Sequence, residues 1–115
     1  MRERPRTGRG PWRAALVAGL ALAALTAAHA SASRVVAVGI KEFTFAPRVL
    51  TVPVGTTVTW TNLDEEPHTI TSTTRAFGSA GLSNKETFAQ TFTHSGTYDY
   101  FCALHPHMKA VVIVQ

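Results

Sequence analysis

The sequence predicts an all-β domain, a Greek-key sandwich of about seven to eight strands, and three observations carry that reading. Past residue 30, no apolar run recurs at helical spacing over a long window. Short β-branched and aromatic runs alternate with polar residues instead. Clusters of Gly, Pro, Asn and Ser divide those runs at short intervals, as turns between strands of two antiparallel packed sheets do.

The elements follow in order. Val35 to Ile40 is a β-branched run. Phe43 and Phe45 alternate, Pro47 breaks the pattern, and Val49 to Val52 resumes it. Pro53-Val54-Gly55 reads as a turn. Thr56 to Asn62 alternates, with Val58 and Trp60 on one face and Thr57, Thr59 and Thr61 on the other. His68 to Thr74 is a Thr/Ile-rich strand, whereas 75 to 85 is Gly/Ser/Ala-rich and reads as a loop. Phe88, Gln90 and Phe92 mark a further strand and His94-Ser95-Gly96 a turn. Thr97 to Phe101 and Lys109 to Val114 close the sheet, with Tyr98 placed as a corner tyrosine.

The first thirty residues have another character. Arg2, Arg4, Arg6, Arg9 and Arg13 precede an Ala/Leu-rich run from Ala14 to Ala28, and small residues allow cleavage after Ala30 or Ala32. That is a Sec-type signal peptide over 1–30, followed by one domain over 31–115. The apolar run is shorter than the roughly 20 residues of a spanning helix, so no stable membrane insertion is expected after cleavage. A periplasmic or extracellular location follows. No Arg-Arg pair points to the twin-arginine route.

Charge excludes one class of partner. The whole chain has a pI near 9.8, but five of its eleven basic residues lie in the leader. The remainder carries six basic and six acidic residues, which gives no field for phosphate backbones. No nucleic-acid role is expected. The chain also shows no Ser/His/Asp or paired-carboxylate arrangement that would suggest hydrolysis.

Cys102 is the only cysteine, so no internal disulfide can form. A lone thiol in an exported domain is a liability unless it is buried or metal-bound. Its surroundings favour metal: Cys102, His105 and Met108 lie three residues apart in one tight segment between the last two strands. A fourth ligand must come from elsewhere, and His68, after Pro67 at the end of the Trp60 loop, is the candidate. Two imidazoles, a thiolate and a weak axial thioether form the donor set of type-1 (blue) copper. Zinc would recruit a second Cys or a carboxylate and leave the thioether unused. Without its register to Cys102 and His105, Met108 would read as core filler. His107 competes as a ligand but is read as exposed near the site, and His94 as structural. Asp64-Glu65-Glu66 reads as a solvated loop, with steering of a basic partner as the lesser alternative.

The stretch Tyr98-Asp99-Tyr100-Phe101-Cys102-Ala103-Leu104-His105-Pro106-His107-Met108-Lys109 resembles the copper loop of amicyanin-like cupredoxins. Phe43 to Pro47, Val52 to Asn62 and Pro67-His68-Thr69 resemble that family's N-terminal half and first-ligand turn. The resemblance implies a cupredoxin-like fold, one type-1 copper per chain and one-electron transfer without substrate turnover. It implies that His68 is the buried imidazole, that Met108 tunes the potential and that His105 is the exit for electrons. An amine dehydrogenase or a c-type cytochrome is the implied class of redox partner, met transiently by a monomer. Thr69 departs from the family's usual Asn, whose side chain ties the two ligand loops; a hydroxyl can make one such bond where an amide makes more. Two rivals remain open: a copper chaperone or storage module, and an accessory subunit of a larger redox complex. A chaperone would usually offer several exchangeable Met or His ligands, and Met108 is the only methionine after the leader.

Overall fold

A computed structural model describes residues 8, 10, 17–24 and 33–115. Both expected cleavage positions, and most of the expected leader, lie outside the described residues. Residues 17–24 carry no helix or strand. Among the described residues no helix is long and apolar enough to cross a membrane.

Residues 33–115 fold into eight strands: β1 (Val35–Lys41), β2 (Thr44–Ala46), β3 (Val49–Val52), β4 (Thr57–Asn62), β5 (Thr71–Ser72), β6 (Thr87–Thr91), β7 (Gly96–Phe101) and β8 (Lys109–Val114). They form two four-stranded sheets, ordered β2-β1-β4-β6 and β3-β8-β7-β5. The sheets are mixed, not purely antiparallel as expected: β1 pairs with β4, and β3 with β8, in parallel. The reason is topological. After the β1–β2 hairpin the chain passes to the other sheet for β3 and returns as β4, and that excursion serves as the crossover a parallel pair requires.

Alternation sorts each strand's side chains. In β4, Val58, Trp60 and Asn62 point inward while Thr57, Thr59 and Thr61 are half-buried on the outer face. Trp60 packs across the sandwich on Tyr100 of β7, with ring centroids 5.5 Å apart, and its Nε1–H donates to the Tyr100 hydroxyl at 3.1 Å. Burial pushes the Tyr100 hydroxyl up to about 12, against the smaller downward pull of the Trp60 bond. Phe45, Phe77 and Phe92 complete an aromatic centre around this pair.

Tyr98 is the corner tyrosine the sequence placed: its hydroxyl donates to the His94 carbonyl at 2.8 Å, pinning the turn before β7. His94 is exposed and serves that corner through its backbone. The strand expected over His68 to Thr74 shrinks to Thr71–Ser72: His68 forms an isolated bridge with Leu82 of the following loop, and Thr71 itself bridges Gly78 there.

Candidate metal centre

The core turns polar at one end of the sandwich. Asn62 takes the last inward position of β4, where Val58 and Trp60 precede it, and is fully buried. Its amide donates to the carbonyls of Glu66 and Leu82, both at 2.8 Å, and its Oδ1 accepts the Asp64 N–H at 2.9 Å. These bonds fold the 63–67 segment back over the sheet end and deliver His68 inward. The same alternation that buries Tyr100 carries Cys102 into the core, two residues beyond it.

The threefold spacing in the last loop has a geometric cause. The N–H of His105 donates to the Cys102 carbonyl at 3.2 Å, and the N–H of Met108 to the His105 carbonyl at 2.9 Å. Two successive i→i+3 turns thus set the three residues in one repeating orientation, and the N–H of Cys102 closes the loop on the Met108 carbonyl at 3.1 Å. Met108 is buried and His105 half-exposed.

His68, Cys102 and His105 offer ligand atoms that all lie within 4.8 Å of one another. Cys102 Sγ is 3.7 Å from Nδ1 of His68 and 3.7 Å from Nδ1 of His105. An ion with bonds of about 2.3 Å to sulfur and about 2.0 Å to nitrogen holds those atoms about 3.7 Å apart at trigonal angles and about 3.5 Å apart at tetrahedral ones. The observed separations suit an ion bound by all three groups, and two imidazoles with a thiolate belong to the donor set of type-1 copper. The residues fit that ion. His107 stands outside this cluster, exposed, its ring centroid 6.4 Å from that of His105.

Hydrogen bonds orient the donors. The N–H of Thr69 points at Cys102 Sγ, 3.3 Å away. The Thr69 hydroxyl oxygen accepts the Ala103 N–H at 2.7 Å and shares a second bond with the Thr71 hydroxyl at 2.9 Å. Thr69 therefore ties the two ligand loops by the single bond expected of it, and Thr71 completes its hydrogen bonding.

Two contributors escaped the sequence reading. Asp64, taken as part of a solvated acidic run, places Oδ2 2.8 Å from His68 Nε2. With Asp64 ionised, Nε2 carries the proton and Nδ1 keeps its lone pair toward Cys102. Partial burial pushes the Asp64 carboxyl up, but the N–H of Phe43, the His68 side chain and the N–H of Glu42 outweigh it and hold the carboxyl below the ordinary aspartate range. Glu65 and Glu66 are exposed, as expected. Nothing in the local sequence marked Asp64 apart from its acidic neighbours. Phe43, read only as part of a strand, lies in the two-residue β1–β2 turn and makes T-shaped contacts with both His68 and His105, at 5.2 and 5.0 Å. Its signal was a large aromatic residue where a turn was due.

The comparisons agree with this geometry. Residues 14–114 match the model of the cupredoxin-like domain. This chain belongs to the cupredoxin family. It is amicyanin-like: it is 35% identical over 94 residues to amicyanin of Paracoccus denitrificans, covering 77% of this chain and 72% of that one. Among solved structures it resembles a purple cupredoxin from Nitrosopumilus maritimus, with TM-score 0.66, 33% identity and coverage of 70% of this chain and 99% of that one. It also resembles a copper-containing nitrite reductase from Thermus scotoductus, with TM-score 0.66 and 32% identity over 70% of this chain but 22% of that one. As a cupredoxin of this type, it is a carrier of type-1 copper.

Proposed function

We propose that this cupredoxin is an exported one-electron carrier whose copper is held by His68, Cys102, His105 and Met108. The carrying observation is the triangle of two imidazole nitrogens and one thiol sulfur, with both separations to sulfur at 3.7 Å. Type-1 copper supplies a Cu(I)/Cu(II) couple there, and the chain's own residues do the rest. His68 and Cys102 are fully buried and exclude water from the donor side. Backbone bonds through Cys102, His105 and Met108 fix the loop, so its shape alters little between valence states and the barrier to transfer stays low. Met108, buried in the same loop, would offer a weak thioether donor that tunes the potential.

Electrons leave through His105, the half-exposed member of the triangle, whose neighbours Ala103, Leu104 and Pro106 are exposed and mostly apolar. A small, transient contact through that surface suits a carrier that must release its partner quickly. The Arg-rich start and the small residues at 28–32 support export to the periplasm. A redox protein, such as an amine dehydrogenase or a c-type cytochrome, is the proposed partner. The reaction in the name of the nitrite reductase is not carried over, since the likeness spans about a fifth of that protein. Complete burial of two donors also disfavours the chaperone reading, because ligand exchange needs access.

Loading with Cu(II) and reading absorption, paramagnetic resonance and electron self-exchange tests the proposal. An intense visible thiolate band, narrow copper hyperfine splitting and fast self-exchange are expected. A colourless, ordinary type-2 spectrum overturns it; rapid loss of copper to a chelator with slow self-exchange transfers the case to copper delivery.

A further inference from the structure

The β1–β2 connection is built against its sequence. Lys41 pairs with Thr44, leaving Glu42 and Phe43 as a two-residue turn. Their φ angles are 52° and 57°, the sign pattern of a type I′ turn, which ordinarily takes Asn-Gly or Asp-Gly. A bulky aromatic residue in the left-handed region is an outlier that its surroundings must hold in place. One side chain supplies the hold. Asp64 Oδ1 accepts the Glu42 N–H at 2.6 Å and Oδ2 accepts the Phe43 N–H at 2.9 Å, while Oδ2 also reaches His68. Phe43, 40% exposed, then completes a triangle of rings with His68 and His105, every centroid separation lying between 5.0 and 5.2 Å.

We propose that Asp64 and the Glu42–Phe43 turn form one positioning unit for both imidazoles, in which Asp64 orients His68 directly and His105 indirectly through Phe43. This rests on the reading of His68 and His105 as copper ligands. The ligand loop also supports His105, through the bond of its N–H to the Cys102 carbonyl, which fixes its backbone. The imidazole ring is met by the rings of Phe43, His68 and His107 and lies 3.7 Å from Cys102 Sγ through Nδ1. Phe43, partly exposed, packs edge-on against it. Its apolar ring resists an outward swing of the imidazole without offering it a competing hydrogen bond.

Imidazole ring-proton resonances test the unit, because an aromatic ring at this distance displaces them by its ring current. Spectra of the copper-free and the diamagnetic Cu(I)-loaded protein are compared for wild type, Phe43→Leu, Asp64→Asn and Asp64→Ala. Phe43→Leu is expected to move the resonances of both His68 and His105. Both Asp64 variants are expected to move the His105 resonances in the same direction, although the Asp64 carboxylate bonds to the Glu42–Phe43 turn and to His68. Unmoved His105 resonances in Asp64→Asn, beside moved ones of His68, overturn the unit. The copper-free spectra decide this even if the ligand reading fails, and failure of that reading shows separately as no uptake of copper. In the loaded protein each single variant is expected to release copper about 10- to 100-fold faster. Coupling predicts that Phe43→Leu/Asp64→Ala is no faster than the faster single variant; a product of the two effects means independent residues and overturns the unit.

Discussion

Thr69→Val removes one hydroxyl, almost without a change of shape, from the bond that joins the two ligand loops. In the wild type that oxygen accepts the Ala103 N–H at 2.7 Å and shares a bond with the Thr71 hydroxyl at 2.9 Å. Thr71 is half-buried and Ala103 exposed, so water can take up part of either lost bond. What remains is the net worth of the part-buried bond from the Ala103 N–H, about 0.5–1.5 kcal/mol. A loss of about 1 kcal/mol corresponds to a fall of roughly 4–8 °C in melting temperature for a domain of this size. Urea titration of the copper-free protein, followed by Trp60 fluorescence, reads it directly. Thr69→Ser, which keeps the acceptor, should recover most of the loss. A Thr69→Val variant within 0.5 kcal/mol of wild type refutes the claim that this hydroxyl ties the loops.

Three further outcomes follow from the same structure. Because the folded Tyr100 hydroxyl is raised from 10.0 to about 12, its contribution to stability is full below pH 10 and is lost as pH climbs toward 12. That loss is worth roughly 2–3 kcal/mol. Tyr100→Phe should start less stable at neutral pH, with the Trp60 Nε1–H unpaired, and should decline less over that window; parallel declines would refute the burial argument. His105→Ala should abolish the type-1 spectrum while His107→Ala leaves it, the reverse order showing that the donor was misassigned. Met108→Leu should shift the reduction potential with copper retained, measured by voltammetry, and loss of copper would show that the thioether is not merely axial.

Much of this site lies in local sequence. The 102–108 loop is legible because its i→i+3 turns are made within the loop, and so they print as residue spacing. β3 and β8 were read with their observed bounds, since each run lies between clear breaks. His68 was legible through Pro67 and the preceding strand. What stayed hidden depends on contacts between distant segments. Parallel pairing of β3 with β8 joins residues some sixty positions apart, and alternation within a strand carries no direction. Phe43 and Asp64 reach the imidazoles only because β1 and β4 lie side by side in register, which brings the ends of both strands to one edge of the site. No local pattern distinguishes Asp64 from Glu65 and Glu66; tertiary structure alone turns one carboxylate inward.

Copper K-edge X-ray absorption on the Cu(II)-loaded protein measures the ligand shell itself. One sulfur at thiolate distance with two imidazole nitrogens, the sulfur vanishing in Cys102→Ala, is the predicted result. A shell of nitrogen and oxygen alone in the wild type would contradict it.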